Sequence, residues 1–233
     1  MTKATLKSLL LLLLIASAGF AQSFRFGVEG GVPLTSAFDT GTASIVFPVA
    51  GPIGGWVLQS LTYSSSTKRY TVGATAELSL PFHLAIKADL LYKRLGFNYI
   101  SVGTLTGTAL SATETGGATA NSWEIPLMAK YRVSKLGPLQ PYVEGGVAFR
   151  DLQGVNQTSA ATPIPELIPP GALRQRFTKG VTAGAGLEFR HLLLPGVFGE
   201  IRYTRWTADA FSSPLGGLNS APNQADLLVG VTF

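Results

Sequence analysis

The chain has no cysteine, and only 13% of its 233 residues are charged. Without cysteine there is no disulfide scaffold, no thiolate metal site and no lipobox. A soluble domain carries roughly twice that share of charge. Histidine occurs only at His83 and His191, and neither has a carboxylate at ligand spacing nearby, so no metal or cofactor is expected. Long apolar runs are also missing beyond residue 21, where a polar or charged residue interrupts every stretch within a few positions. No such window reads as a membrane-spanning helix. What is abundant is apolar character, 46% of the chain, and glycine, 27 residues. That excludes disorder, which needs low hydrophobicity and high net charge. The length suits one domain.

Residues 1–21 read as a secretory signal peptide. Lys3 and Lys7 precede an apolar run from Leu9 to Ala18, and Gly19-Phe20-Ala21 supplies small residues at the cleavage positions. The run is shorter than the roughly 20 residues a spanning helix needs. Cleavage is expected after Ala21, leaving 22–233 as the mature domain. The formal charge of +5 includes the two lysines that leave.

The mature chain alternates with period two. From Trp123 to Val133 the odd positions are all apolar, while Glu124, Lys130 and Arg132 sit among the even ones. Leu84, Ile86, Ala88, Leu90 and Tyr92 oppose Lys87 and Asp89, and Ala225, Leu227, Val229, Val231 and Phe233 end the chain in the same way. Eight such segments are predicted as strands, at about 24–34, 69–80, 84–94, 122–133, 140–150, 179–190, 197–206 and 224–233. Ten residues tilted near 45° rise about 23 Å, enough for an outer-membrane apolar band. The connections alternate in length. Those at 35–68, 95–121, 151–178 and 207–223 are long, and those near 81–83, 134–139 and 191–196 are short. Segment 151–178 holds Pro163, Pro165, Pro169 and Pro170 and is expected to have no strand, at most a helical turn near Leu173. Pro126, within a strand of a closed sheet, predicts a bulge.

Together these features predict an all-β, eight-stranded, antiparallel up-and-down transmembrane β-barrel, with long connections on one side and short turns on the other. Glycines on the polar face (Gly27, Gly31, Gly73, Gly146, Gly184, Gly186 and Gly230) favour a crowded lumen over a solvated surface, since large side chains opposite need room. By parity the lumen should receive Arg25, Glu29, Arg69, Glu77, Lys87, Asp89, Lys93, Glu124, Lys130, Arg132, Glu144, Arg150, Glu188, Arg190, Glu200, Arg202 and Asp226. These are nine basic and eight acidic residues, and an eight-stranded barrel is only wide enough for its side chains to fill it. A plugged, salt-bridged interior is expected. Outward parity at the long-loop end gives a basic rim of Lys68, Arg94, Lys179 and Arg205, opposed only by Asp151. Tyr70, Tyr92, Trp123 and Tyr203 fall near it as an aromatic girdle. The rim is expected to hold anionic lipopolysaccharide headgroups.

Ile125-Pro126-Leu127, Lys130-Tyr131, Pro141-Tyr142, Glu200-Ile201-Arg202-Tyr203 and Leu228-Val229-Gly230-Val231-Thr232-Phe233 resemble the small bacterial outer-membrane protein β-barrel domain family in their order and spacing. The resemblance covers essentially the whole mature chain. It implies a bacterial outer-membrane location, and it makes the terminal aromatic Phe233 the signal read by the barrel-assembly machinery. Unlike the peptidoglycan-anchoring members of the broader group, the sequence shows no periplasmic domain after Phe233.

No catalytic constellation emerges. Both histidines fall in short turns, away from the outer rim where an acyl hydrolase acting on outer-leaflet lipid would need one. Gly184-Ala-Gly186 lacks the third glycine of a dinucleotide loop and lies in a strand. Asn156-Gln-Thr reads as ordinary surface loop. The basic residues are scattered over opposite strands, so no nucleic-acid partner is expected. The expected role is that of a monomeric, non-enzymatic barrel displaying four extracellular loops for structural or surface-interaction purposes. A porin-like channel for small solutes is the alternative.

Overall fold

The computed structural model describes residues 24–49, 55–107, 111–133, 138–160, 171–191 and 194–233. Residues 1–21, expected to be a signal peptide, lie outside them. In chain order the strands are β1 (Phe24–Pro33), β2 (Phe38–Thr40), β3 (Thr42–Val49), β4 (Gly55–Ser65), β5 (Thr71–Ser79), β6 (Leu84–Leu105) and β7 (Ser111–Arg132). There follow β8 (Leu139–Ala160), β9 (Ala172–Leu173), β10 (Phe177–His191), β11 (Leu194–Trp206), β12 (Phe211–Ser212), β13 (Leu218–Ser220) and β14 (Asn223–Thr232).

Eight of these form a closed antiparallel ring in the order β1, β5, β6, β7, β8, β10, β11, β14. The ring shuts where β14 returns to β1, from Gly27 against Thr232 to Pro33 against Asp226. Each of the eight predicted segments lies on this wall. Closure leaves the eight-stranded ring itself without an edge, so its backbone groups are paired around the ring and can face lipid. The outward positions are apolar and exposed, among them Phe26, Val28, Ile86, Ile125, Val147, Val181, Ile201 and Val229. Among the described residues no helix is long and apolar enough to cross a membrane.

The long connections are more ordered than their composition suggested. β6 and β7 continue past the predicted ends as one paired ribbon up to Thr104 against Ser111, and β8 continues to Ala160. β3 and β4 form a hairpin whose inner strand pairs with Phe97–Leu105 of β6, above the point where β5 stops. Segment 151–178 therefore does contain strand. Near Leu173 it forms the two-residue β9, which pairs with β12, in place of a helical turn. β2, β13, β12 and β9 make a small four-stranded sheet across the same end of the barrel.

Pro126 makes no bulge. It stays in register with Ala148 of β8. On its other side β6 and β7 keep one register from Ala88–Leu127 to Leu91–Glu124, with the two intervening pairs missing from the ladder. Proline has no N–H to donate, so the ladder opens locally without shifting. The irregularity in β7 lies instead between Thr119 and Asn121.

The glycines have two distinct reasons. At Gly230 the ring of Phe198 on the paired neighbour lies over the position a side chain would need, and at Gly186 the Tyr142 ring does so together with the Gly199 carbonyl. This is the crowding expected from the sequence. At Gly27, Gly31, Gly73 and Gly146 the first obstacle is a backbone carbonyl of the neighbouring strand, so these glycines permit close approach of the strands themselves.

Candidate functional site

Inward positions on the wall carry charge because outward ones face lipid, where charge is costly. The resulting ion pairs fall into three tiers along the barrel axis. Nearest the short turns, Glu77 and Glu188 face Arg25, Lys130, Arg132 and Arg190. Lys130 Nζ lies 2.9 Å from Glu77 and 3.3 Å from Glu188, and Arg25 reaches Glu188 at 3.3 Å. Arg132 and Arg190 bond to Glu77 and Glu188 in turn. Lys130 also stands 3.8 Å from the centre of the Tyr142 ring.

In the middle tier four carboxylates surround two cations. Lys87 Nζ is 2.9 Å from Glu200, 3.6 Å from both Glu29 and Asp89, and 3.9 Å from Glu144. Arg202 reaches Asp89 at 2.6 Å and Glu144 at 3.5 Å, and also bonds Glu200. The Tyr142 hydroxyl donates to Glu200 at 2.8 Å. All six charged side chains of this tier are 0–2% exposed. The tier's acidic excess mirrors the basic excess of the tier below it.

The outer tier joins Lys93 to Asp226 at 2.7 Å and to Glu124 at 3.1 Å, with Arg150 on Glu124 at 2.9 Å. Arg150 lies over the Trp206 ring, 3.7 Å from its centre, and shares Gln224 with the indole N–H.

Above the charges an apolar plug closes the long-connection end. Phe38, Phe97 and Phe211 meet edge to face at 5.5–5.8 Å. Leu61, Tyr63, Leu95, Tyr99, Leu152 and Leu218 pack around them, all buried. Tyr63 donates its hydroxyl to Ser213 at 3.0 Å, tying the hairpin β3–β4 to the connection between β12 and β13. Sequence reading missed this plug. Its only trace was apolar residues at inward parity beyond residue 94, in Leu95, Phe97 and Tyr99.

Of the residues assigned to the lumen by parity, all but Arg69 belong to these tiers. Arg69 is a correction: β5 begins at Thr71, the preceding residues leave the wall, and Arg69 is exposed at the long-connection end. Lys68, Arg94, Lys179 and Arg205 are exposed there as well. Asp151, the acid expected to oppose them, is bound by Arg176 at 2.8 Å. Tyr70, Tyr92 and Trp123 form a continuous ladder, with ring centres 6.4 and 5.1 Å apart. His83 is exposed in the tight turn between β5 and β6, where it and Phe82 take positive φ. The His191 side chain lies outside the described residues. No group of three or more metal-ligating residues forms among those described. Phe233 is exposed at the short-turn end, its backbone N–H donating to the Phe26 carbonyl at 2.7 Å.

Residues 20–205 match the family model of the outer membrane protein beta-barrel domain. Several solved structures are distantly similar to the chain. Neisserial surface protein A is 11% identical with a TM-score of 0.43, covering 90% of this chain and 96% of that one. The outer membrane protein OprG from Pseudomonas aeruginosa is 12% identical with a TM-score of 0.47, covering 90% and 94%. The outer membrane enzyme PagL is 11% identical with a TM-score of 0.26, covering 89% and 98%. No curated protein matches the chain.

Proposed function

The chain belongs to the outer membrane protein β-barrel domain family, and from that premise we propose that it works as a rigid, sealed barrel in the bacterial outer membrane. Its ordered long connections are then the working surface, displayed outside the cell for structural or interaction purposes. The observation that carries this reading is the double closure of the lumen, by buried ion pairs along its length and by the Phe38, Phe97 and Phe211 plug at its long-connection end. A solute would have to break pairs whose desolvated partners cannot be left single, at a cost of about 3–5 kcal/mol each.

The purified barrel in planar bilayers is expected to pass no steady single-channel current, and steady currents would favour the porin-like alternative. Phe97→Ala/Phe211→Ala is expected to stay silent too, because the charged tiers still fill the lumen. A conducting double variant would place the seal in the plug alone. The reading includes no catalytic step: His83 stands at the short-turn end, away from the outer leaflet. Phe233 serves here as the handle for the barrel-assembly machinery, and the folded product is a monomer.

A further inference from the structure

The charges inside the barrel are all ion-paired, but among the described residues six exposed cations at its long-connection end are not: Arg174 beside β9 and five on or next to the wall strands. Among the described residues Lys68, Arg69, Arg94, Lys179 and Arg205 have no carboxylate within ion-pairing distance, and Asp151 is occupied by Arg176. Their arrangement is not uniform around the rim. Lys68 donates its backbone N–H to the carbonyl of Arg94 at 3.0 Å, so Lys68, Arg69 and Arg94 gather at the outer end of β5 and β6. Lys179 on β10 accepts from the Thr207 backbone N–H at 2.9 Å, and Val181 pairs with Arg205 of β11, so Lys179 and Arg205 form a second group. In the ring of eight, β5–β6 and β10–β11 are four strands apart in either direction. The two clusters stand on opposite flanks.

Each cluster caps lipid-facing aromatic surface. The ladder Tyr70, Tyr92, Trp123 lies beside the first. At the second, Lys179 pairs across strands with Phe149, which stacks on Phe177 at 6.0 Å. Aromatic girdles mark the height of the membrane interface. Cations immediately beyond them, on the outward face, meet headgroups rather than solvent or protein.

We propose that Lys68–Arg69–Arg94 and Lys179–Arg205 are two phosphate-binding sites for the anionic glycolipid of the outer leaflet, lipid A, fixing headgroups on opposite flanks of the barrel. The proposal rests on the reading that the long connections face outward. Arginine and lysine on phosphate form charge-assisted hydrogen bonds, bidentate for arginine. Each cation near an anionic membrane surface is worth about fivefold in binding.

The test uses the purified full barrel in mixed micelles of neutral phosphatidylcholine and diphosphoryl lipid A, washed and assayed for retained lipid A. The unaltered barrel is expected to retain lipid A and to release it as salt rises. Lys68→Gln/Arg69→Gln/Arg94→Gln and Lys179→Gln/Arg205→Gln should each lose about half of it, and the five-substitution variant at least tenfold. Retention of the full amount by the five-substitution variant overturns the proposal. Equal retention of phosphatidylglycerol overturns the glycolipid assignment, since the clusters would then read charge alone. The heat-dependent gel shift confirms that each variant is folded. Labelling of Gly216→Cys on intact cells reports orientation separately, so a barrel inserted the other way is distinguished from a rim that does not bind.

Discussion

Lys87→Met is expected to destabilise the barrel by about 3–5 kcal/mol, the loss that follows when one partner of a buried ion pair is removed. The methionine fills nearly the same volume, so the effect is electrostatic rather than a cavity. Lys87 Nζ is the common neighbour of Glu29, Asp89, Glu144 and Glu200. Arg202 still serves the last three of these after the substitution. Glu29 has no other cation within ion-pairing distance among the described residues, and neither of its carboxylate oxygens accepts a hydrogen bond. Its carboxyl group is then buried with no cation beside it. One consequence separates this account from general misfolding. Lys87→Met/Glu29→Gln should recover more than half of the loss, because the orphaned carboxyl group is gone. Urea unfolding in lipid, followed by tryptophan fluorescence and by the heat-dependent gel shift, measures both variants. A loss under about 1 kcal/mol, the size of an exposed pair, would mean that the middle tier is wet and that the lumen is not sealed there.

The sequence exposes the wall of the barrel because each wall strand separates two unlike environments. Lys87 and Asp89 alternate with Ile86, Ala88 and Leu90, and that contrast is what a period of two detects. The continuation of the same strand beyond Arg94 is invisible for the complementary reason. There the inward residues Leu95, Phe97 and Tyr99 pack the plug, the outward Ile100 and Val102 are also apolar, and the two faces no longer differ. Hairpin β3–β4 hides in the same way, since Thr42–Val49 and Gly55–Ser65 contain no charge. Parity also assigns a side chain to the lumen without saying whom it meets. In register Lys87 pairs with Glu77, yet its ammonium bonds Glu200 on β11, across the barrel. That choice depends on strand tilt and on the length of the lysine stem, neither of which the pattern encodes. The Arg69 error comes from extending parity two residues past the start of β5, where there is no wall to impose it.

Gly146→Ala should reduce the yield of folded barrel severely, while Gly145→Ala should be tolerated. The two glycines are adjacent in β8 and differ only in the face they present. A Cβ at Gly146 would fall on the carbonyl oxygen of Leu127 in β7, far inside van der Waals distance, with the Met128 Cα next to it. Neither atom can swing aside as a side-chain tip would. The strands themselves must separate, and the ladder that pairs Leu127 with Val147 and Met128 with Gly146 must open with them. The barrel already lacks two pairs on the other side of β7, opposite Pro126, so β7 would be weakened towards both neighbours at nearly the same height. Overpacking by a methyl group ordinarily costs about 1–3 kcal/mol when side chains can adjust, and a clash against backbone belongs at or above the top of that range. At Gly145 the same methyl group would point to the lipid side and meet only the Thr182 carbonyl oxygen at 3.8 Å, an ordinary contact. Alanine there also removes the entropic penalty of glycine in a strand. Refolding both variants from urea into lipid and scoring the compact band on unheated gels gives the comparison directly. Equal yields would show that β7 and β8 can part by an ångström without loss, and that the close approach at Gly146 is not what holds this side of the ring.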